Sequence, residues 1–185
     1  PFAEGAATTT LELTEPQREV YLAAQMDAEA SCAYNQCFVL KLRGPFSPES
    51  MQRALAVVCE RHAALRLHVT ASGDRQEILP TVDVALPLVD MEGLADSERD
   101  ETWLKLIKRE THTPFDLASA PLWRAQIVRD SADLHRLVFT AHHFVCDGWS
   151  SAVLFSDLAA AYAADRFGMP PTLEPAASYR EFVES

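Results

Sequence analysis

Two apolar runs, LWRAQIVR from Leu122 to Arg129 and LHRLVFTAHH from Leu134 to His143, flank a short polar break at Asp130 to Asp133. Runs of this length on either side of such a break read as two strands of a β-hairpin. Side chains along a strand alternate between faces, so in the second run Leu137, Phe139, Ala141 and His143 share one face, and Arg136, Val138, Thr140 and His142 share the other. The adjacent histidines His142 and His143 therefore point opposite ways wherever the strand reaches them, and cannot do the same job.

The elements around this hairpin follow from local signals. Residues 1–12 are mostly small and polar without periodicity and read as a linker or disordered terminus. Thr14-Glu-Pro-Gln17 fits a capping box opening an amphipathic helix that runs to about Met26. A strand follows at QCFVLKLRG. Ser47, with Pro48 in the first turn, starts a helix whose apolar face carries Met51, Leu55 and Val58. It leads through ERHAALR into a β-rich stretch, LRLHVTASG, and Arg75 to Met91 holds one or two short strands. Asp96 to about His112 reads as a third helix with Trp103, Leu104 and Ile107 facing inward. A fourth begins near Trp149, stacks Leu154, Leu158 and Tyr162, and stops by Gly168-Met-Pro-Pro. A short helix closes the chain around Tyr179 to Val183. This order predicts an α/β fold, a mixed β-sheet flanked by helices.

Composition narrows the function classes. A net charge of −11, from 27 acidic residues against 16 Lys and Arg, disfavours nucleic acid as a partner. The sequence holds neither an apolar run long enough to span a membrane nor a signal-peptide pattern at residues 1–15, so no membrane partner and a cytoplasmic location are expected. Cys32, Cys37, Cys59 and Cys146 match no C-x-x-C pattern and read as small buried hydrophobes.

The stretch AHHFVCDGWS, residues 141–150, concentrates the candidate chemistry. A histidine at a strand end, followed by a glycine turn and a helix N-terminus, can take a proton from an amine, hydroxyl or thiol, while nearby N–H groups can stabilise an oxyanion. That combination suits acyl transfer. A hydrogen-bonded structural histidine is the plain alternative. His142, His143, Cys146 and Asp147 are all capable metal ligands, but opposite-facing histidines disfavour one shared ion, and no metal site is expected. Cys146 with His143 as its base would make a nucleophile only if the thiol were activated. Asp147, just before Gly148, suits a loop anchor paired with an arginine; Arg61 and Arg66 are candidates, or else solvated surface.

HHFVCDG is an HHxxxDG motif, and with Trp149-Ser150 it resembles the condensation domains of nonribosomal peptide synthetases, in the chloramphenicol acetyltransferase-like superfamily. LTEPQREVYLAAQM resembles the opening motif of that family, and RHAALRLHV its RHExLR motif, with alanine where the family carries an acidic residue. The resemblance implies a chloramphenicol acetyltransferase-like lobe, one of two that form a V around a tunnel. Phosphopantetheine arms of donor and acceptor carrier domains enter the tunnel from opposite sides, and the acceptor amine attacks the donor thioester to form an amide. No cofactor is bound to the domain itself. His143 would be the catalytic histidine, as base or as positioner, and His142 a support of the loop. Asp147 would be structural, through a salt bridge to Arg61 or Arg66. Gly148 would leave room for the pantetheine arm.

A whole domain of that family is much longer than 185 residues, so residues 13–185 are expected to be its N-terminal lobe, lacking the C-terminal lobe and inactive alone. A noncatalytic carrier-recruiting domain, or an epimerising, ester-forming or cyclising relative, is the alternative; His142-His143 argues against heterocyclisation, in which aspartates replace the first histidines.

Overall fold

A computed structural model describes residues 7–184. Its strands are β1 Thr9–Glu12, β2 Asn35–Arg43, β3 Leu67–Val69, β4 Arg75–Ile78, β5 Leu88–Asp90, β6 Trp123–Ser131 and β7 Leu134–His142. Its helices are α1 Glu15–Ala24, α2 Ala28–Cys32, α3 Pro48–Arg61, α4 Asp96–His112, α5 Gly148–Arg166 and α6 Tyr179–Glu184, with a single 3-10 turn at Ala63–Arg66.

The hairpin organises the larger sheet. β6 and β7 pair antiparallel, β2 adds antiparallel to the other side of β7, and β5 adds parallel to β6, giving the order β2-β7-β6-β5. The strand carrying the histidines is thus interior, with neighbours on both sides. A parallel pair needs a crossover, and α4 supplies it between β5 and β6. A small antiparallel sheet, β1-β4-β3, stands beside the larger one.

Both faces of the large sheet are covered. On one, Leu137, Phe139 and Ala141 of β7 join Trp123, Ala125 and Ile127 of β6, and pack with Met51, Leu55 and Val58 of α3 and Leu154, Leu158 and Ala161 of α5. On the other, Val138 and Val128 meet Met91, Leu106, Trp103 and Ile107. Leu55, Val58, Ile127 and Phe139 are fully enclosed, and each such aliphatic or aromatic side chain stabilises the fold by about 1.5–3 kcal/mol relative to exposure.

The capping box is present in full: Gln17 N–H donates to Thr14 Oγ1 at 3.3 Å and Thr14 N–H to Gln17 Oε1 at 3.0 Å. Ser47 caps α3 through Ser50 N–H at 3.1 Å, with Pro48 in the first turn. Four expectations need correction. Residues 9–12 are a strand and not linker, because Leu11 is buried and β1 pairs along its length with β4; residues 1–6 lie outside the described residues. α2, capped by Asp27 through Ala30 N–H at 2.7 Å, is too short to leave a periodic signature. On α4 the inner face carries Leu106 beside Trp103 and Ile107, while Leu104 points to solvent at 68% exposure. Finally, only Cys59 and Cys146 are buried; Cys32 and Cys37 are half-buried.

Candidate functional site

β7 ends at His142, but its pairing continues one residue further. His142 N–H donates to Leu122 O at 2.9 Å and His143 N–H to Tyr34 O at 2.8 Å, so both histidines stand on a backbone fixed by the sheet. From there they diverge. His142 is fully buried, lies beside Tyr34 and edge-on to Phe115, and its Nδ1 accepts the Phe144 N–H at 3.2 Å. Burial pulls this imidazole down from its usual 6.5 to about 4; the charge of His143 adds to the effect and the Ser31 backbone opposes it. His142 is a neutral pillar that shapes the turn.

His143 is exposed. Its Nδ1 lies 2.9 Å from Cys146 O and 3.0 Å from the Gln36 side-chain amide on β2. A carbonyl oxygen only accepts, so the contact with Cys146 requires the proton on Nδ1 and leaves the Nε2 lone pair free. No hydrogen bond engages Nε2 among the described residues.

The loop then runs into α5. Asp147 Oδ1 accepts the Ser150 N–H at 2.7 Å, making Asp147 the N-cap of that helix. Hydrogen bonds from Ser150 hold its carboxyl below the usual range, against burial and with help from His143 and the Trp149 backbone. The carboxylate therefore occupies the anion-attracting end of α5, and the Gly148 N–H is the first-turn donor it leaves open. Gly148 has no positive φ, and a Cβ built there meets no atom within 4 Å.

The expected salt bridge from Asp147 to Arg61 or Arg66 is not made. Arg61, at the end of α3, instead reaches Asp157 one face along α5: its Nε donates to Oδ2 at 2.7 Å, and the same oxygen bonds His62 Nε2 at 2.8 Å. Arg61 also donates to Glu174 O. Together Arg61 and His62 outweigh burial and hold the Asp157 carboxyl low. Arg66 spends its donors on main-chain carbonyls, Cys59 at 3.0 Å, Glu60 at 3.3 Å, Pro80 at 3.2 Å and Leu79. Both arginines tie elements together at a distance from His143; neither is plain solvated surface.

Cys146 is buried at 4% exposure, and burial together with Asp147 pushes its thiol up to about 11. That is the opposite of an activated nucleophile. The loop rests on a polar cluster: Gln17 and Gln76 exchange amide hydrogen bonds at 2.9 and 2.8 Å, and Gln17 Nε2 also donates to Tyr179 Oη at 2.8 Å and toward Phe144 O at 3.5 Å. Asp157, Gln36 and Gln76 were not singled out by sequence. Each acts across more than 50 residues of chain, so no local spacing marks it. A cleft of about 740 Å³ between α3, Leu79 to Val84 and Ser178 to Arg180 includes none of the loop residues.

The family model described as Condensation domain matches residues 7–185. The chain is 37% identical over 175 residues to the chondramide synthase of Chondromyces crocatus, covering 93% of this chain and 4% of that one. It is 37% identical over 169 residues to the malpibaldin synthetase of Mortierella alpina, covering 90% and 3%. Among solved structures, the starter condensation domain of rhizomide synthetase superposes with a TM-score of 0.86 at 24% identity, over 95% of this chain and 42% of that one. The first condensation domain of the calcium-dependent antibiotic synthetase, bound to a substrate analogue, gives 0.83 at 24% identity, over 95% and 42%. The X-domain solved with OxyB from teicoplanin biosynthesis gives 0.82 at 27%, over 100% and 39%. The chain thus spans a few hundredths of the curated relatives' length and about two fifths of the solved chains.

Proposed function

The chain belongs to the condensation-domain family of nonribosomal peptide synthetases, with its chloramphenicol acetyltransferase-like fold, and we propose that residues 13–185 form the N-terminal lobe of a domain that joins two carrier-bound substrates through an amide bond. The donor is an acyl or peptidyl thioester and the acceptor an amino acid with a free amine, each delivered on a phosphopantetheine arm. The observation that carries the reading is the asymmetry of the two imidazoles. His142 is sealed and neutral, whereas His143 is open, with Nδ1 anchored and Nε2 free.

In this reading the neutral amine attacks the thioester carbonyl carbon. The C–N bond forms, the C–S bond breaks, and the amine proton passes to His143 Nε2 and on to the departing thiolate. Asp147 acts by fixing where α5 begins, and Gly148 keeps the approach clear, since nothing in this lobe fills the space its side chain would take.

The test is His143→Ala in the intact synthetase with loaded carriers. We expect amide formation to fall about 10²–10⁴-fold, the usual worth of a positioned base; a full rate would overturn the assignment. The 185-residue chain alone should form no amide, and measurable product from it would show that one lobe suffices. A recruiting role is the second reading, since a fold neighbour, the X-domain, has been solved in complex with OxyB. Partner binding that survives His143→Ala together with unchanged product would favour it. Exchange of a substrate α-proton in deuterated water would point to epimerisation instead.

A further inference from the structure

We propose that Gln36 is a positioning residue for His143, gripping Nδ1 alongside the Cys146 carbonyl and so fixing the tautomer and plane in which Nε2 meets the acceptor amine. The inference rests on the reading of His143 as the base.

The geometry is specific. Gln36 sits on β2 directly across from Ala141, and its carboxamide lies 3.0 Å from Nδ1 while Cys146 O lies 2.9 Å from the same nitrogen. Because Cys146 O only accepts, Nδ1 carries a proton, and the end of the amide compatible with a proton-bearing nitrogen is its oxygen. The two ends of a carboxamide are nearly isosteric. With Nε2 toward the imidazole, an N–H donor would face the proton-bearing Nδ1; turning the amide end for end removes that clash and makes Nδ1–H a donor shared between two oxygens.

The need for a second grip comes from the position of His143 one residue beyond β7, exposed, on a ring that would otherwise swing about a single contact. An oxygen at Nδ1 also favours the imidazolium formed when Nε2 takes the proton. No other side-chain hydrogen bond of Gln36 is present among the described residues, so its removal touches the histidine and little else. The other titratable groups beside His143 are His142 on β7, Tyr34 just before β2, and Cys146 and Asp147 on the loop. All remain in the variants below.

The experiment measures amide formation by the intact synthetase against pH for Gln36→Leu and Gln36→Glu, beside His143→Ala. Gln36→Leu should lower kcat about 2–10-fold, the worth of one hydrogen bond, with KM for the loaded acceptor carrier and Tm unchanged, and should move the acid limb to lower pH. Gln36→Glu, whose carboxylate stabilises the imidazolium, should recover kcat and move that limb to higher pH. Wild-type kcat and an unmoved limb in Gln36→Leu, with His143→Ala inactive, would overturn the proposal and leave the base standing. Full activity of His143→Ala would overturn both. If Gln36→Leu fails to fold, the limb of Gln36→Glu decides alone: displaced supports the proposal, unmoved overturns it.

Discussion

At position 142 an imidazole is enclosed between two aromatic rings and held neutral, and that has a cost in acid. The unfolded chain protonates this histidine near 6.5, whereas the folded one resists until about 4. Between those values the unfolded state binds the extra proton. Stability is therefore full above about 6.5 and falls as pH drops toward 4, by up to about 3 kcal/mol from this group. Denaturant titrations across that window should show the slope, and His142→Asn should flatten it; an unchanged slope in the variant would assign the loss elsewhere. The thiols provide a second check. Burial pushes Cys59 up to about 12 and Cys146 to about 11, so iodoacetamide at neutral pH should modify both only on unfolding, and labelling of native Cys146 would show the loop open. At Gly148, where a Cβ meets open space and φ is not positive, Gly148→Ala should leave Tm within a degree or two yet slow amide formation if a pantetheine arm passes there.

α3 and α5 are joined at two levels as well as through their apolar faces. Arg61 and His62 hold Asp157, and Arg53 holds Asp165 with two bonds of 2.8 Å. The Asp157 cluster is mostly shielded while Arg53 is 60% exposed, so the two are unequal. Asp157→Ala should cost about 1–3 kcal/mol by leaving Arg61 and His62 without their acceptor, whereas Asp165→Ala should cost much less, and less still in high salt. Denaturation midpoints in low and high salt check both. Most of these elements were legible in advance, because α1 and α3 carry caps and prolines, α5 a stack of Leu154, Leu158 and Tyr162 with prolines beyond its end, and the β6–β7 hairpin two apolar runs around a polar break. β1 was not, since four residues of Thr-Thr-Leu-Glu become a strand only through β4. The loop shows the same division. Period two assigned His142 and His143 to different faces, but no spacing could reveal that Asp147 would cap its own helix while Arg61 turned to Asp157, or that register would bring Gln36 to His143.

At the scale of the molecule, one apolar core joins both sheets to α3 and α5, and Phe139 stands at its centre against Trp123 and Phe155. Phe139→Ala should lower global stability by about 3–5 kcal/mol, read as a shift in denaturation midpoint with little change in slope. The histidines hang from this core by the last rungs of an interior strand, and that has a consequence in time. The His143 amide, bonded to Tyr34 O, should exchange with deuterated solvent as slowly as the amides in the middle of β7, although its own side chain lies in water. The Gly148 amide, a few residues on, should exchange orders of magnitude faster. A side chain whose mount opens only when the whole fold does keeps its aim through every smaller fluctuation of the surface around it.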